Sequence, residues 1–466
     1  MHRSSSQADA RALPWLEAVA FAIVIGTGAL GCADQPDEAG GVLPATAASG
    51  AGGMAPVEQP PSSTAGTNGE GMTTGGAEGL GGVSGTAGVA QAGGALGNGG
   101  TTPSGGAPVG GTGPTDGPFV HPGLLHTQQD LDRIKSKVAA GEQPYLAGYD
   151  VFRTQGQSSS TYGVRGGCPE LGRKPSVCTS EGETDGNAAY QNALMWSITG
   201  NRTYATKSIQ ILNTWSANLK TISGDDAILA AGIDGFKFVN AAEIIRYTNA
   251  GWASADVTRA EGMFKNVFYP VIKDFATFAN GNWSGACLKT MIGIAVFTND
   301  RAMFNRAVDW FTNGTDNGSV THYVINDTGQ VQESGRDQTH TQLGLGFLAE
   351  TAEIAWHQGV DLYGASDNRL LKGFEYTASY NLGNNVPFQE YTDTTGKYHQ
   401  TVISTDSRGA FRPVFEMVYN HYANRRGVSC RYTQQVAERL RPEGAAFQAD
   451  HPGFGTLLFT RAPGNQ

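Results

Sequence analysis

From Phe119 onward, apolar residues recur with the three-to-four-residue period of amphipathic helices. Strand-like alternation is scarce and predicts one short strand, in the GTLLFTR stretch at residues 455–461. The pattern therefore predicts a mainly α domain, with helices over residues 127–139, 144–154, 186–199, 203–219, 236–249, 256–279, 283–297, 300–313, 338–357, 366–381, 409–423 and 432–439.

Several of these helices form pairs on one plan, in which an Ala-rich helix is followed by a short turn and a partner helix. Examples are AAYQNALMWSI with YATKSIQILNTWSANL, and LKTMIGIAVF with AMFNRAVDWF. Successive antiparallel hairpins of this kind can close into a ring, so we expect an (α/α) toroid or incomplete barrel. An open solenoid and an irregular helical domain are the alternatives, and the absence of a tight repeat period disfavours the solenoid.

Composition separates the first quarter of the 466-residue chain from the rest. Residues 33–117 consist almost entirely of Gly, Ala, Thr, Ser and Pro, and such a segment buries too little apolar surface to offset its ordering entropy. We therefore expect a disordered linker over 33–117 and a folded domain over 118–466.

The first 32 residues have the features of an export signal. Arg3 and Arg11 precede an apolar run over 13–30 that ends in ALGC, with Cys32 as its last residue. This arrangement resembles a bacterial lipoprotein signal, in which Cys32 would carry the lipid; an ordinary cleaved signal peptide is the alternative. We expect an exported protein, anchored by lipid at the cell envelope or otherwise secreted.

Charge and cysteine usage narrow the possible functions. Of the formal net charge of −10, seven negative charges lie in the linker, so the folded part is nearly neutral. No basic stripe suggests nucleic acid, and an anionic substrate would need locally placed Arg or Lys. Cys168 and Cys178 flank a short polar loop that a disulfide could close after export, whereas Cys287 lies in an apolar helix as a free thiol. No Cys/His spacing indicates a metal site, and we expect no metal and no cofactor.

The strongest chemical signal lies in residues 329–359, GQVQESGRDQTHTQLGLGFLAETAEIAWHQG. Within eight residues this stretch contains four ionisable side chains, which are Glu333, Arg336, Asp337 and His340. If Ser334 caps the helix, Arg336 and His340 share one helical face, and a cation beside an imidazole can hold a carboxylate and move a proton. The alternative is a structural ion pair of Glu333 with Arg336 beside a packed histidine.

Three further polar stretches interrupt the apolar helices. They are TYGVRGG at 161–167 with Tyr162 and Arg165, FVNAAE at 238–243 with Asn240 and Glu243, and NGNW at 280–283 with Asn282 and Trp283. A ring of helical hairpins places helix starts and their loops around one opening, so we expect these stretches to converge there.

Most of residues 120–425 resemble the bacterial alginate lyase family. The resemblance is carried by AAGIDGFKFVNAAEIIRYT, by GNWSGACLKTMIGIAVFTNDRAMFNRAVDWF and, most specifically, by ESGRDQTH followed by AEIAWHQGVDLYG. It implies a helical-toroid polysaccharide lyase that cleaves uronate polymers by β-elimination without a metal. In this chemistry, neutralising the C6 carboxylate stabilises the enolate-like intermediate, a base takes the C5 proton and an acid protonates the leaving O4.

The resemblance also implies residue roles. Asn282 and Arg336 would neutralise the carboxylate, and His340 falls on the histidine of the family motif. The better-known alginate lyases have an Asn-Asn-His run where this chain has Asn280, Gly281, Asn282 and Trp283, so the imidazole would have to come from His340. Substrate-binding roles are expected for Tyr162, Arg165 and Trp283, and Glu333 is expected to orient Arg336. The acid is left open among Tyr162, Tyr247, Tyr323 and Tyr398.

The sequence thus favours a lyase that acts on an anionic polysaccharide and contacts the membrane only through a lipid anchor. One alternative is a glycoside hydrolase on a similar helical toroid, which needs two carboxylic acids facing one cleft. Another is a surface glycan-binding lipoprotein without catalytic activity, which would not need both Arg336 and His340.

Overall fold

Helices form most of the computed structural model, which describes residues 111, 113, 115–446 and 450–464. The signal segment with Cys32 and nearly all of the expected linker lie outside these described residues. The principal helices are α1 (Gln128–Ala139), α2 (Tyr145–Arg153), α3 (Thr179–Thr199), α4 (Arg202–Asn218), α5 (Ala227–Tyr247), α6 (Ser254–Met263), α7 (Tyr269–Ile272), α8 (Gly281–Phe297), α9 (Arg301–Asn313), α10 (Val320–Tyr323), α11 (Gln338–His357), α12 (Ala365–Asn381), α13 (Phe415–Tyr419), α14 (Arg431–Leu440) and α15 (Gly455–Leu458). Among the residues described, none of these helices is long and apolar enough to cross a membrane.

Four of the helices, α3, α5, α8 and α11, run parallel to one another along the inside of the ring. The threonine hydroxyl of Thr290 on α8 donates to the Gly232 carbonyl at 2.5 Å, and further along the same pair Gly293 lies against Val239. Between α8 and α11, Gly285 lies against Phe347, and Lys289 pairs with Glu350 at 3.0 Å. Contacts that advance in the same direction on both helices establish the parallel order.

The parallel order between α3 and α5 follows from the same kind of contact. Gly182 on α3 faces Asp234 on α5, and one turn later Lys237 donates to Asn187 at 3.0 Å. The four amino-terminal ends of the inner helices consequently lie at one end of the ring, which we call the mouth.

Outer helices α4, α6 with α7, α9 and α12 each follow one inner helix after a short connection and return antiparallel to it. Helices α1, α2, α13 and α15 close the ring between α11 and α3. There, Tyr145 on α2 donates to the Thr460 carbonyl, and Arg461 pairs with the buried Asp130 on α1. The architecture is the (α/α) toroid that the hairpin pattern predicts.

Two inner helices begin earlier than the apolar period predicts. Helix α3 starts at Thr179 and α5 at Ala227, whereas the predictions began at 186 and 236. Their first two turns contain glycines, Gly182 in α3 and Gly232 in α5, which lower helix propensity in isolation. Packing supplies the reason for these glycines, because a Cβ at Gly232 would lie 2.7 Å from the Ala286 carbonyl carbon. Close approach of the inner helices thus overrides the local preference.

Three other predicted elements differ from the structure. The single helix predicted over 256–279 is α6, a π-helical turn at Phe264–Phe268 and α7, which ends at Ile272. The helix predicted from 409 begins at Phe415, after an extended approach. The strand predicted in 455–461 is wrong, because its first residues form α15. The adjacent Leu457 and Leu458 are both fully buried. A short apolar run that is buried on every side does not distinguish a strand from a helix by its period.

Strands are restricted to two short pairs in the described part of the chain. They are parallel β1 (Glu170–Gly172) with β2 (Thr221–Ser223), and antiparallel β3 (Tyr391–Thr392) with β4 (His399–Gln400). The loop before α3 is closed by a Cys168–Cys178 disulfide, as the flanking cysteines suggested. Cys287 is a buried free thiol, as expected, and Cys430 is also free and buried.

Candidate functional site

The start of α8 and the segment leading into α11 meet at the mouth around one buried carboxylate, that of Glu333. Its Oε1 accepts from Nη1 of Arg336 at 2.9 Å. Its Oε2 accepts from the Tyr323 hydroxyl at 3.0 Å and from the backbone N–H of Asn282 at 3.2 Å. Burial raises the pKa of Glu333 although Arg336 and His340 oppose this shift. Glu333 therefore joins the Arg336 guanidinium to the backbone of Asn282.

Arg336 lies before α11, not on it. The N-cap of α11 is Asp337, whose Oδ1 accepts from the His340 backbone N–H at 2.7 Å. The expectation that Ser334 caps the helix and that Arg336 and His340 share a helical face is therefore wrong. Ser334 instead directs its hydroxyl to the Val331 carbonyl in the preceding turn. Arg336 nevertheless keeps 31% of its side chain exposed at the mouth.

His340 and Asp337 form a dyad that the sequence interpretation missed. Nδ1 of His340 lies 2.6 Å from Oδ2 of Asp337, and 22% of the imidazole is exposed. Burial disfavours the charge on Asp337, but hydrogen bonds from His340 and the nearby Arg336 outweigh it and lower the carboxyl pKa. Because Nδ1 faces an ionised carboxylate, it carries the proton, and Nε2 is left to accept one. The signal was present in the sequence, since Asp337 is a strong N-cap residue three places before His340.

Asn282 lies in the first turn of α8 with only 2% of its surface exposed. Its Oδ1 is buried and has no hydrogen-bond partner among the described residues. A buried polar group without a partner costs about 1 to 3 kcal/mol, which is tolerated where a ligand completes the contact. The helix is preceded by Asn280 as N-cap, so capping does not explain Asn282.

Trp283 covers a small apolar cluster on the inner wall of the mouth, separate from the main core. The cluster consists of Leu229, Ile233, Ala286, Leu343 and Phe347. The indole is half-buried and forms an edge-on contact with Phe278. This position is compatible with both the stacking role and the packing role that the sequence left open.

The loop with Tyr162 and Arg165 is held on α3 through Asp185, which is fully buried. Asp185 accepts from the Tyr162 hydroxyl at 2.8 Å, from the backbone N–H groups of Arg165 and Gly166, and from Trp215. Burial raises the pKa of Tyr162 to about 12, so the phenol keeps its proton. The loop lies toward the mouth end of α3, with the Arg165 side chain exposed, and no hydrogen bond among the described residues joins it to Glu333.

The stretch with Asn240 and Glu243 does not join the mouth. Asn240 accepts from the Leu125 backbone N–H, and Glu243 pairs with His121 at 2.7 Å, so both hold the segment before α1. The expectation that all four polar stretches converge is wrong for this one, because it lies in the second half of α5.

Of the four candidate acid tyrosines, Tyr247 is disfavoured by its position and Tyr323 by its burial. Tyr247 ends α5, about 21 Å along the helix from Ile233 at the mouth, and stacks on His121. Tyr323 contacts Glu333, but it is fully buried, and burial together with Glu333 raises its pKa well above the usual value. Tyr162 and Tyr398 keep partly exposed side chains.

The geometry thus provides a guanidinium held by Glu333, an imidazole whose Nε2 can accept a proton, and an amide whose Oδ1 has no partner among the described residues. No group of three or more His, Cys, Asp or Glu side chains within the described ranges is arranged to hold a metal ion. The arrangement suits recognition of a carboxylate next to a carbon from which a proton is removed.

The chain is similar in sequence to a known protein family and in fold to solved structures. The sequence model of the alginate lyase family matches residues 154–388, which is half of the chain. No curated protein matches the chain by sequence.

Similar solved structures include an alginate lyase from Bacteroides ovatus, with 10% identity, a TM-score of 0.50, and coverage of 73% of this chain and 100% of that one. They also include alginate lyase A1-III from Sphingomonas species A1, with 13% identity, a TM-score of 0.52 and coverage of 72% and 97%. A variant of A1-III complexed with a tetrasaccharide gives 13% identity and a TM-score of 0.51, with the same coverage. At these identities the likeness concerns the fold, and the family match adds the sequence relationship. The chain belongs to the alginate lyase family.

Proposed function

We propose that this protein is a polysaccharide lyase that cleaves alginate or a related uronate polymer by β-elimination. The proposal is carried by one observation: at the mouth, Glu333 binds both the Arg336 guanidinium and the backbone N–H of Asn282, and the His340–Asp337 dyad lies directly beside Arg336 in the chain. The tetrasaccharide bound to variants of A1-III supports a polysaccharide as the ligand class.

The charged groups at the mouth favour an anionic substrate. Four inner helices direct their amino-terminal ends there, and each end carries partial positive charge. Arg336 adds a full charge that pairs with the buried Glu333 at 2.9 Å and with Asp337 at 3.6 Å, while 31% of its side chain stays exposed to a ligand. A uronate C6 carboxylate would accept hydrogen bonds from the guanidinium and from the Nδ2–H of Asn282, and these donors stabilise the charge that develops when C5 loses its proton.

The proton and bond changes follow from the dyad. Nε2 of His340 takes the C5 proton, the C4–C5 double bond forms and the C4–O4 bond breaks. Asp337 holds the imidazole and stabilises the imidazolium that results. The leaving O4 receives a proton from an acid, for which Tyr398 and Tyr162 are the candidates with partly exposed side chains, although Tyr162 would first have to release its hydrogen bond to Asp185. Comparing Tyr162→Phe with Tyr398→Phe would show which one lowers kcat.

The motif at 333–340 does not support the glycoside hydrolase alternative. A hydrolase needs two carboxyl groups facing the scissile bond. Of the two in this motif, Glu333 is sealed from solvent with both oxygens occupied, and Asp337 is occupied by His340.

The test is to incubate the purified full chain with alginate, polyglucuronate and polygalacturonate. The ultraviolet absorbance of 4,5-unsaturated uronates and the number of new reducing ends are followed together. Both signals should rise in step, and His340→Ala should lower the rate about 10² to 10⁴-fold. The matched control is His121→Ala, which breaks a similar histidine–carboxylate pair at the opposite end of the ring. Reducing ends without the absorbance would establish hydrolysis, and binding without either signal would establish a glycan-binding protein.

We also propose that the protein is exported and anchored through lipid on Cys32. The ALGC stretch and the disulfide between Cys168 and Cys178 support this, because disulfides persist in oxidising compartments. Labelling of the wild type, but not of Cys32→Ala, by a radiolabelled fatty acid is the expected result. Equal labelling of both would exclude Cys32 as the lipid site.

A further inference from the structure

A single aromatic side chain stands out on the rim beside the site. Phe278 is 51% exposed, whereas its loop neighbours Phe275, Ala276, Ala279 and Asn280 are buried. The other large hydrophobics exposed in the described ranges are two valines, Val120 and Val402. One exposed apolar residue is ordinary, so the surroundings must decide whether Phe278 has a role.

The loop holds Phe278 in a fixed position. Phe275 stacks on Trp310 with ring centroids 4.3 Å apart, and the Ala276 backbone N–H donates to Ser284 at 3.0 Å. The Ala279 carbonyl accepts from the buried Asn317 side chain at 2.8 Å. The exposed ring is therefore presented by a rigid support and loses little entropy when a ligand covers it.

Phe278 is continuous with the candidate site. Its ring lies 5.9 Å from the Trp283 ring at 69°, and Trp283 is the residue after Asn282. The Trp283 indole therefore lies between Asn282 and the exposed Phe278 ring. Aromatic faces of this kind pack against the apolar CH face of a sugar ring.

A cation stands beside the same ring. Nζ of Lys397 lies 5.7 Å from the centroid of Phe278 and donates to the Phe278 carbonyl at 2.9 Å. Lys397 lies in the turn between β3 and β4, beyond the residues that the family model matches. The hairpin is built into the mouth, because the Asn317 amide also donates to Asp393 at 2.6 Å, and Thr394 donates to Asn317. Asn317 therefore ties the phenyl ring and the ammonium to one another.

We propose that Phe278 and Lys397 form an outer subsite for one uronate residue of the polysaccharide, remote from the bond that is cleaved. The sugar ring stacks on Phe278, and its C6 carboxylate pairs with the Lys397 ammonium. The subsite rests on the proposed lyase function. It specifies the substrate further, because long polymers with a carboxylate on each sugar would bind more tightly than short or neutral ones. It adds binding and touches no reacting atom.

The test compares KM and kcat on uronate oligomers of increasing length for Phe278→Ala, Lys397→Gln and the double variant. For long oligomers we expect KM to rise about 5 to 10-fold with Phe278→Ala and about 2 to 5-fold with Lys397→Gln, with kcat within about twofold. The shortest oligomer that is cleaved should show no change. The Lys397→Gln effect should shrink at high salt, because exposed charges are screened.

Two controls match the changes. Val120→Ala removes another exposed large apolar side chain, and Lys220→Gln removes an exposed lysine that also donates to a backbone carbonyl, that of Ala217, at 2.8 Å. Both should leave KM unchanged. An unchanged KM in the double variant at every length, or a loss of kcat that is equal at every length, would overturn the subsite.

A binding measurement keeps this outcome separate from failure of the lyase function. In electrophoresis through gels containing alginate, the wild type should be retarded and the double variant much less so. A wild type that is retarded but forms no unsaturated product would contradict the lyase proposal and leave the subsite supported. An active wild type with a double variant retarded to the same extent would contradict the subsite alone.

Discussion

Replacing Asp337 by Asn tests the reasoning about the dyad most directly. Asn is nearly isosteric with Asp, and its amide oxygen can still accept the His340 backbone N–H that caps α11. What changes is the atom facing Nδ1 of His340, now 2.6 Å from a carboxylate oxygen. An amide N–H there favours the tautomer with its proton on Nε2, which cannot take a proton from substrate.

The structure allows the size of the two effects to be separated. Asn caps a helix nearly as well as Asp, and loss of one charge near a helix start costs about 0.3 to 1 kcal/mol. Losing the base costs about 10² to 10⁴ in rate, equivalent to about 3 to 5 kcal/mol in the activation barrier. We therefore expect a large fall in kcat with a small shift in the unfolding midpoint.

The assay is the initial rate of unsaturated product formation, measured beside denaturant unfolding of the same preparations. Asp300→Asn is the matched control, because Asp300 caps α9 by accepting from the Met303 backbone N–H at 3.0 Å and has no histidine partner. It should change stability to a similar extent and leave kcat unchanged. If Asp337→Asn keeps its rate within about tenfold of the wild type, the dyad has no catalytic role.

Three further predictions follow from the same contacts. Arg336→Ala leaves the buried Glu333 without its cation and should lower both stability, by about 3 kcal/mol, and rate; adding Glu333→Gln should recover stability but not rate. Recovery of the rate in that double variant would make Arg336 a structural residue only. Asn282→Ala should lower kcat about 10² to 10³-fold with little change in unfolding, because its contact with Glu333 is made by the backbone; a loss confined to the unfolding midpoint would contradict this. Burial raises the pKa of Glu443 to about 8 in the folded chain, whereas the unfolded chain releases this proton from about pH 4.5. Because the folded chain binds one more proton between these pH values, the free energy of unfolding should fall as the pH rises through them. Glu443→Gln should remove that decline and be the more stable form above about pH 8, and stability curves that stay parallel across the range would show that Glu443 does not titrate there.

The local pattern of the sequence determined most of the helices and the class of the fold. The pattern predicts a helix at 300–313, and α9 is found at Arg301–Asn313. An outer helix buries one face and exposes the other, so apolar and polar residues alternate with the helical period along its whole length. Inner helices are apolar on nearly every side, so their sequences lack the alternation of apolar and polar residues that would mark where each helix begins. That is why the pattern does not predict the glycine-containing first two turns of α3 and α5.

Part of the candidate site can likewise be predicted from the sequence, and part depends on the tertiary structure. Residues 333–340 could be recognised from the sequence, since adjacent residues stay adjacent in space. These residues lie beside Asn282 because α8 and α11 are parallel neighbours. Only the packing of the two helices decides that arrangement. The same order removed Tyr247, Asn240 and Glu243 from the mouth, because they lie in the second half of α5. Sequence alone therefore determined the helices and the chemistry they contain, while the tertiary structure decided which helix ends share an opening, because direction and neighbour choice depend on contacts between residues far apart in the chain.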